Sequence, residues 1–569
     1  MTKDLPHIRW ALSSSGNLAS ILAGLFLLIS LLPVVQLLSR EWITFANEYT
    51  HVDEIFFAVC AARGLVSGDV PIAGCHDNKA PLIYALYQLL ELGGSRYSLG
   101  GIKLAGAVSM ITAVALVAFV AQRIGGKRAA VIGAALALQT FAVNAELLAF
   151  KTEVVGTIFM LAGAGYLLRW IHSSNLTALF GGGALFGMAV MTKQTFAFGA
   201  FAACLWLLGE PVRPPGRACA DRLLRCLVFA AGVALPSAGF LALFWLRGEA
   251  LDFLASVFLH AIAYGTGGAP LSSSERAWKV GWFLHQFGLV YPLTILFSVA
   301  LTQWLQPLLA RQGRPDRRRP DIGLLLALAI AMAVVPIVSR QYFLSHLLPA
   351  WLLMVVPAAV SVSAWLERPS ADAGPTVESL RVVGAVGLLI AVLLAVDSWY
   401  LNGDVKKRLA GRQHVLDEAS RVPGGRGCYG YVLGIRPEFY FFNGILPSSD
   451  VLYPAALAGA GAAPRPVDLQ QHGPPLARFH SVVQVHAAKR LLAQFALTPP
   501  QYVLLVDRWA RAPQSDAVSD VAVVRDHVAA HCKLMRKIDG KEYQAGLLFE
   551  CGGSPAGRGV RDPLPSAGP

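Results

Sequence analysis

Apolar stretches of roughly 20 residues recur between residues 17 and 399 of this 569-residue chain. A stretch of that length crosses a hydrocarbon layer as one helix, with its backbone polar groups satisfied internally. Composition agrees. Hydrophobic residues make up 55% and charged residues 15%, against about 25% charged in soluble domains. About eleven spans are predicted: 17–39, 102–121, 129–148, 153–169, 176–192, 195–209, 226–246, 281–303, 321–338, 342–363 and 382–399. The shorter ones leave room for tilted or re-entrant segments. The first reads as an anchor and not as a cleaved leader. The expected fold class is an α-helical polytopic membrane protein.

Beyond residue 400 the pattern changes. Polar residues, Pro and Gly increase, and short β-rich runs such as Tyr502–Val506 appear. Residues 401–551 are expected to form a small extracytoplasmic α/β domain, with a helix-like stretch at Val482–Phe495. The Gly/Pro/Ser-rich end, 552–569, has a composition typical of disorder.

Basic residues collect in short cytoplasmic loops of membrane proteins. Here they lie at Lys3 and Arg9, at Arg123–Arg128, at Arg169, at Arg213–Arg225 and at Arg311–Arg319. Alternating spans bring all of these to one side. The net charge of +13 is therefore read as topological bias with anionic-lipid contact, and no nucleic-acid partner is needed to account for it. The opposite face then carries the long loop 41–103, expected as a catalytic loop, and the C-terminal domain. A multi-pass membrane protein is expected, with its site facing outward.

Charges on that outward face are not required for orientation, so they raise a functional question. Four clusters stand out. The first is Asp53-Glu54, opening a helix-like stretch, Glu54–Leu65, expected to lie along the interface with Ile55, Phe56, Val59 and Leu65 toward lipid. Helix capping is the plain alternative for this acidic pair. The second is His76-Asp77-Asn78-Lys79-Ala80-Pro81, whose lysine suits a phosphate as a compact point charge. The third holds Glu146 and Glu153, which would share a face on one continuous helix. The fourth is Lys193-Gln194 with Arg340-Gln341-Tyr342 and His346. A basic residue at a span end is often only an interfacial anchor, and a lone histidine is often structural.

These motifs resemble the GT-C membrane glycosyltransferases, in particular the glycosyltransferase family 39 and protein O-mannosyltransferase-like group, with the lipid A aminoarabinose transferases in the same class. The likeness rests on the Asp53-Glu54 pair after a first span and on Asp77-Asn78-Lys79-Ala80-Pro81-Leu82-Ile83-Tyr84. It rests also on Lys193-Gln194, on Arg340-Gln341-Tyr342-Phe343, and on the segment Tyr431–Tyr440. Ala80 and Asn78 depart from the family pattern, and Asn78 removes a titratable group.

The resemblance implies transfer of a sugar, hexose or pentose, from a polyprenyl-phosphate donor to a lipid, glycan or protein acceptor, with inversion. It implies Asp53 and Glu54 as catalytic carboxylates. Lys79, Lys193 and Arg340 would take the donor phosphate. Glu153, Glu146, Asp77, His76, Tyr342 and His346 would serve the acceptor or a cation. No cofactor is fixed; a divalent metal at Asp53 and Glu153 stays open, because carboxylates without a fixed ligand spacing do not specify one. Partners are membrane lipids, the lipid-linked sugar and the acceptor. A transporter or flippase of a lipid-linked sugar is the alternative. It would favour an internal repeat and charges at mid-membrane, and neither is evident.

The eight cysteines show no zinc-type CxxC spacing. Cys532 and Cys551 could close a hairpin by a disulfide; free thiols are the alternative.

Overall fold

A computed structural model describes residues 52–67, 79–93, 99–142, 149–209, 218–254, 257–258, 319–338, 344–366, 422, 428–433, 438–443, 445–449, 491–506, 520–538 and 546–552. The chain divides into two compact units, Met1–Ile72 with Asn78–Gly411, and Ala73–Asp77 with Arg412–Pro569.

In the first unit, α1 runs Val52–Ser67, α2 Pro81–Leu92, α3 Leu99–Ala142, α4 Thr152–Ser173 and α5 Leu176–Thr192. Then come a 3-10 turn, Gln194–Phe196, and α6 Ala197–Gly209, α7 Ala218–Leu246, α8 Ala250–Leu254 and α9 Arg319–Val338. A second 3-10 turn, Leu344–Leu347, leads into α10 Leu348–Leu366. Among the described residues, four helical stretches are long and apolar enough to cross a membrane: Gly100–Phe141, Thr152–Ser173, Cys219–Leu246 and Ser345–Ala364.

Eight of the predicted spans fall wholly or mostly within the described residues, and helices stand in the described part of each. The spans at 17–39, 281–303 and 382–399 lie outside the described residues, as does 552–569 except its first residue. The predicted spans 102–121 and 129–148 are the two arms of α3, broken where Gly126 takes φ 81°. Only glycine enters that region without penalty. The arms fold back on each other, so that a Cβ at Gly133 would sit 3.2 Å from the Ala121 methyl.

The long loop 41–103 contains more structure than expected, because α2 occupies part of it. Pro81 stands in the first turn of α2, where its fixed φ fits and its missing N–H costs nothing. A proline also pushes the preceding residue out of the helical region. Ala80 is accordingly extended, at φ −74° and ψ 152°, so the chain enters the helix directly after Lys79.

The interfacial assignment of α1 is corrected. Ile55, Phe56 and Val59 are buried inside the protein and do not face lipid. They are covered because α1 packs on α2: the Phe57 ring stands 5.5 Å from those of both Tyr84 and Tyr87. The separation of the spans 129–148 and 153–169 has a consequence for Glu146 and Glu153. Ala149, Phe150 and Lys151 are non-helical between α3 and α4, so no helical face joins the two glutamates.

Helices α4 and α5 turn back at Ser174, which is left-handed at φ 53°. Asn175 caps α5 by accepting the Thr177 N–H at 2.8 Å. Helix α5 then meets α7 through glycines: added Cβ atoms at Gly183 and Gly187 would collide with the carbonyl oxygens of Phe229 and Val233. Small residues four apart permit this backbone approach, the usual means of helix association in lipid.

One end of the unit gathers the starts of α1, α2, α4 and α10. The other holds the α3 turn with Arg123, Lys127 and Arg128, the end of α4 and the start of α7. There Arg225 lies over the Trp170 ring at 5.2 Å, and His172 contacts Asp321 of α9 at 3.1 Å. Ser363, late in α10, reaches Gly125 O at 3.5 Å.

The second unit is built on a mixed five-stranded sheet with helices, in line with the expected α/β class. Its strands are β1 Tyr429–Leu433, β2 Leu446–Pro447, β3 Tyr502–Val506, β4 Cys532–Ile538 and β5 Gly546–Cys551, in the order β2-β1-β3-β5-β4. Strands β1, β2 and β3 run parallel, while β5 is antiparallel to both β3 and β4. Helix α11 is Glu438–Asn443 and α12 is Asp520–His531. Residues 491–497 are helical, and the rest of the predicted helix at Val482–Phe495 lies outside the described residues. Tyr431, Phe495, Val503, Val524 and Val528 form the core.

Candidate active site at the helix ends

The site lies at the end of the membrane unit where α1, α2 and α4 begin. Glu54 is fully buried. One carboxylate oxygen accepts the Phe150 N–H at 2.7 Å, and the other meets Lys103 Nζ at 3.1 Å. The Tyr87 hydroxyl donates to Phe150 O at 2.8 Å. Both backbone groups of Phe150 are therefore satisfied, by α1 on one side and α2 on the other, as buried peptide groups require. The extended segment Ala149–Lys151 is held at its middle residue. Glu54, expected as a catalytic carboxylate, has both its oxygens engaged in this tie.

That segment leads into α4, where Glu153 sits in the first turn. Lys193, at the end of α5, donates to Glu153 Oε1 at 2.6 Å and to His346 Nε2 at 2.7 Å. An ammonium only donates, so His346 accepts through Nε2 and carries its proton on Nδ1. Thr152 donates to the second Glu153 oxygen at 2.9 Å. Lys193 and Glu153 side chains are 12% and 8% exposed, so this is a buried ion pair. Lys151 also acts electrostatically on Glu153. Lys79 and Asp53 both act on Lys193.

Six residues from separate parts of the chain thus share one electrostatic environment: Asp53, Lys79, Lys151, Glu153, Lys193 and His346. Asp53 and Lys79 are half-buried. Of the remaining expected site residues, His76, Asp77, Glu146, Arg340 and Tyr342 lie outside the described residues. Sequence reasoning passed over Lys103, Tyr87 and any role for Lys151. The signal for Lys103 was available: it is a cation at the start of a span on the face where cations are not required.

A divalent metal at Glu153 does not fit this arrangement. Lys193 and Thr152 occupy its two oxygens, and an ammonium at 2.6 Å repels a second cation.

Residues 78–238, the stretch that carries Lys79, Glu153 and Lys193, match a family model described as dolichyl-phosphate-mannose-protein mannosyltransferase. The crystal structure of ArnT from Cupriavidus metallidurans bound to undecaprenyl phosphate is similar to the chain, with a TM-score of 0.55 at 14% identity. The match covers 93% of this chain and 99% of ArnT. The chain has the GT-C glycosyltransferase fold. Apo ArnT from the same organism matches with a TM-score of 0.51 at 13% identity, over 91% of this chain and 97% of that one. No curated protein matches the chain in sequence. The resemblance to GT-C membrane glycosyltransferases drawn from the sequence motifs is borne out.

Proposed function

We propose that this GT-C protein transfers a sugar from a polyprenyl-phosphate donor to an acceptor hydroxyl or amine, with inversion at the anomeric carbon. The observation that carries the reading is the convergence on Lys193 of Asp53, Lys79, Glu153 and His346 at one end of the helices. The undecaprenyl phosphate bound in the crystal structure of ArnT, a protein of similar fold, supports a lipid-phosphate donor.

In this reading Asp53 accepts the acceptor proton as the nucleophile attacks the anomeric carbon. The bond to the phosphate oxygen breaks on the opposite side. Lys79, joined by Arg340, balances the charge that grows on the leaving phosphate. Phosphate needs no strong general acid as a leaving group. Glu153 and His346 hold Lys193 in place, so that its ammonium reaches the phosphate without a search through rotamers. Glu54, through Phe150, fixes the segment that presents Lys151 and Glu153.

The site would face away from the cytoplasm in an inner-membrane protein. The basic residues at the other end of the helices support this, and so do the cysteines. Within this unit Cys60 in α1 is disulfide-bonded, whereas Cys204, Cys219 and Cys226 of α6 and α7 are free. Disulfides persist in oxidising compartments.

Purified protein in lipid vesicles, supplied with labelled polyprenyl-phosphate sugars and candidate acceptors, tests the reading. Label moving covalently from donor to acceptor is the expected result. Label that merely changes leaflet without leaving its lipid would overturn it in favour of a flippase.

A further inference from the structure

The second unit holds a group of metal-ligand atoms that the transferase reading does not use. Cys532 opens β4 and Cys551 closes β5, and the two face each other in the antiparallel register. They form a disulfide. His527, on the last turns of α12, brings a ring nitrogen to them: the ligand atoms of His527, Cys532 and Cys551 all lie within 4.8 Å of one another. Cys532 Sγ is 3.9 Å from His527 O. His527 Nε2 is enclosed and, among the described residues, has no hydrogen-bond partner. His531, one turn further along α12, stands 5.0 Å away between ring centroids. The run is His527-x-x-x-His531-Cys532, followed by Cys551 across the hairpin. A histidine pair separated by three residues is a spacing common in zinc sites.

We propose that Cys532, Cys551 and His527 form a redox-gated site for a borderline-soft divalent cation of the Zn²⁺ type. In the oxidised state the two sulfurs are bonded to each other and the site is closed. A dithiol reductant opens it: two electrons and two protons pass to the Cys532–Cys551 bond, giving two thiols, and the reductant becomes its own disulfide. The cation then binds both sulfurs as thiolates, and two protons are released. His527 supplies the third ligand through a neutral ring nitrogen, and His531 or water completes a tetrahedral set. Two thiolates and an imidazole select Zn²⁺ over hard cations such as Mg²⁺ or Ca²⁺.

The test uses the full-length protein in detergent, reduced with a non-chelating phosphine and titrated with Co²⁺, a spectroscopic substitute for Zn²⁺. The expected result is a thiolate-to-cobalt charge-transfer band with tetrahedral d–d bands, both displaced by Zn²⁺. Oxidised protein should give neither. Cys532→Ser and Cys551→Ser should each abolish the bands. His527→Ala should weaken Co²⁺ binding at least as much as the roughly 10–100-fold seen when supporting groups around a metal are lost. The same His527→Ala protein should still form its disulfide on reoxidation, by intact mass, which separates a lost ligand from a lost fold. No band in reduced wild-type protein, or bands that persist in either serine variant, would overturn the proposal and leave the disulfide a structural staple only.

Discussion

Lys193 Nζ and Glu153 Oε1 lie 2.6 Å apart across 40 residues of chain, and both side chains are nearly excluded from solvent. The tight turn at Ser174 makes α4 and α5 antiparallel, so the start of one helix meets the end of the other. The pair is costly to break by halves, because removing one charge leaves the other buried.

Glu153→Gln should therefore lower stability by about 3–5 kcal/mol, the usual cost of leaving one buried charge without its counter-charge. Glu153→Gln combined with Lys193→Met should be more stable than Glu153→Gln alone, since no lone charge remains. Thermal unfolding of the detergent-solubilised variants measures this. A double variant no more stable than Glu153→Gln would mean that the two charges are not energetically coupled.

Asp53→Asn keeps the size of the side chain and much of its capping ability, but removes the proposed base. Transfer should fall by roughly 100-fold or more, with expression near normal. Turnover close to wild type would take Asp53 out of the mechanism.

Glu54 separates from Asp53 in the kind of defect expected. Glu54→Ala removes the acceptor for the buried Phe150 N–H, a loss of about 1–3 kcal/mol, together with the contact to Lys103. Glu54→Gln retains an acceptor and should recover part of that stability. The order wild type, Gln, Ala in apparent melting temperature is the expected outcome. Were the Gln variant as stable as wild type yet inactive, Glu54 would belong with the reacting groups.

Lys79→Ala should raise the donor concentration needed for half-maximal rate more than it affects acceptor dependence. Lys79→Arg should restore donor use only in part, because a planar guanidinium replaces a compact ammonium. Donor titrations at saturating acceptor decide this; unchanged donor dependence in the Ala variant would make Lys79 an anchor.

Orientation is open to a labelling experiment in a background lacking the free thiols Cys204, Cys219, Cys226 and Cys428 but keeping the disulfides. A cysteine at Arg247, in the turn after α7, should react with a membrane-impermeant thiol reagent applied to spheroplasts. A cysteine at Lys127, in the α3 turn, should not. The reverse pattern would put the site in the cytoplasm, where nucleotide sugars are available, and the lipid-phosphate donor would lose its main support.

Much of the architecture is legible in the sequence because a membrane span is a local property. Twenty apolar residues must form a helix wherever they meet lipid, and the basic residues between spans alternate with them. The kink between 102–121 and 129–148 and the strand Tyr502–Val506 are local in the same sense: each is determined by a few neighbouring side chains. Other features depend on which helix face meets which. Helix α2 went unread inside the long loop 41–103, and the apolar positions of α1 read as interface because nothing local shows that α2 covers them. The tie from Glu54 to Phe150 spans 96 residues, and the contact from Lys193 to His346 spans 153. Composition placed charges at one membrane face, but only the packing of α1, α2, α4, α5 and α10 decided that Glu54 would brace the backbone while Lys193 is held by Glu153. The cysteines illustrate the same division. Their spacing along the chain carries no metal signature, and it is the β4–β5 register together with the end of α12 that brings Cys532, Cys551 and His527 together. A hydrogen bond or ligand set between distant segments depends on tertiary register, which no single window of sequence contains.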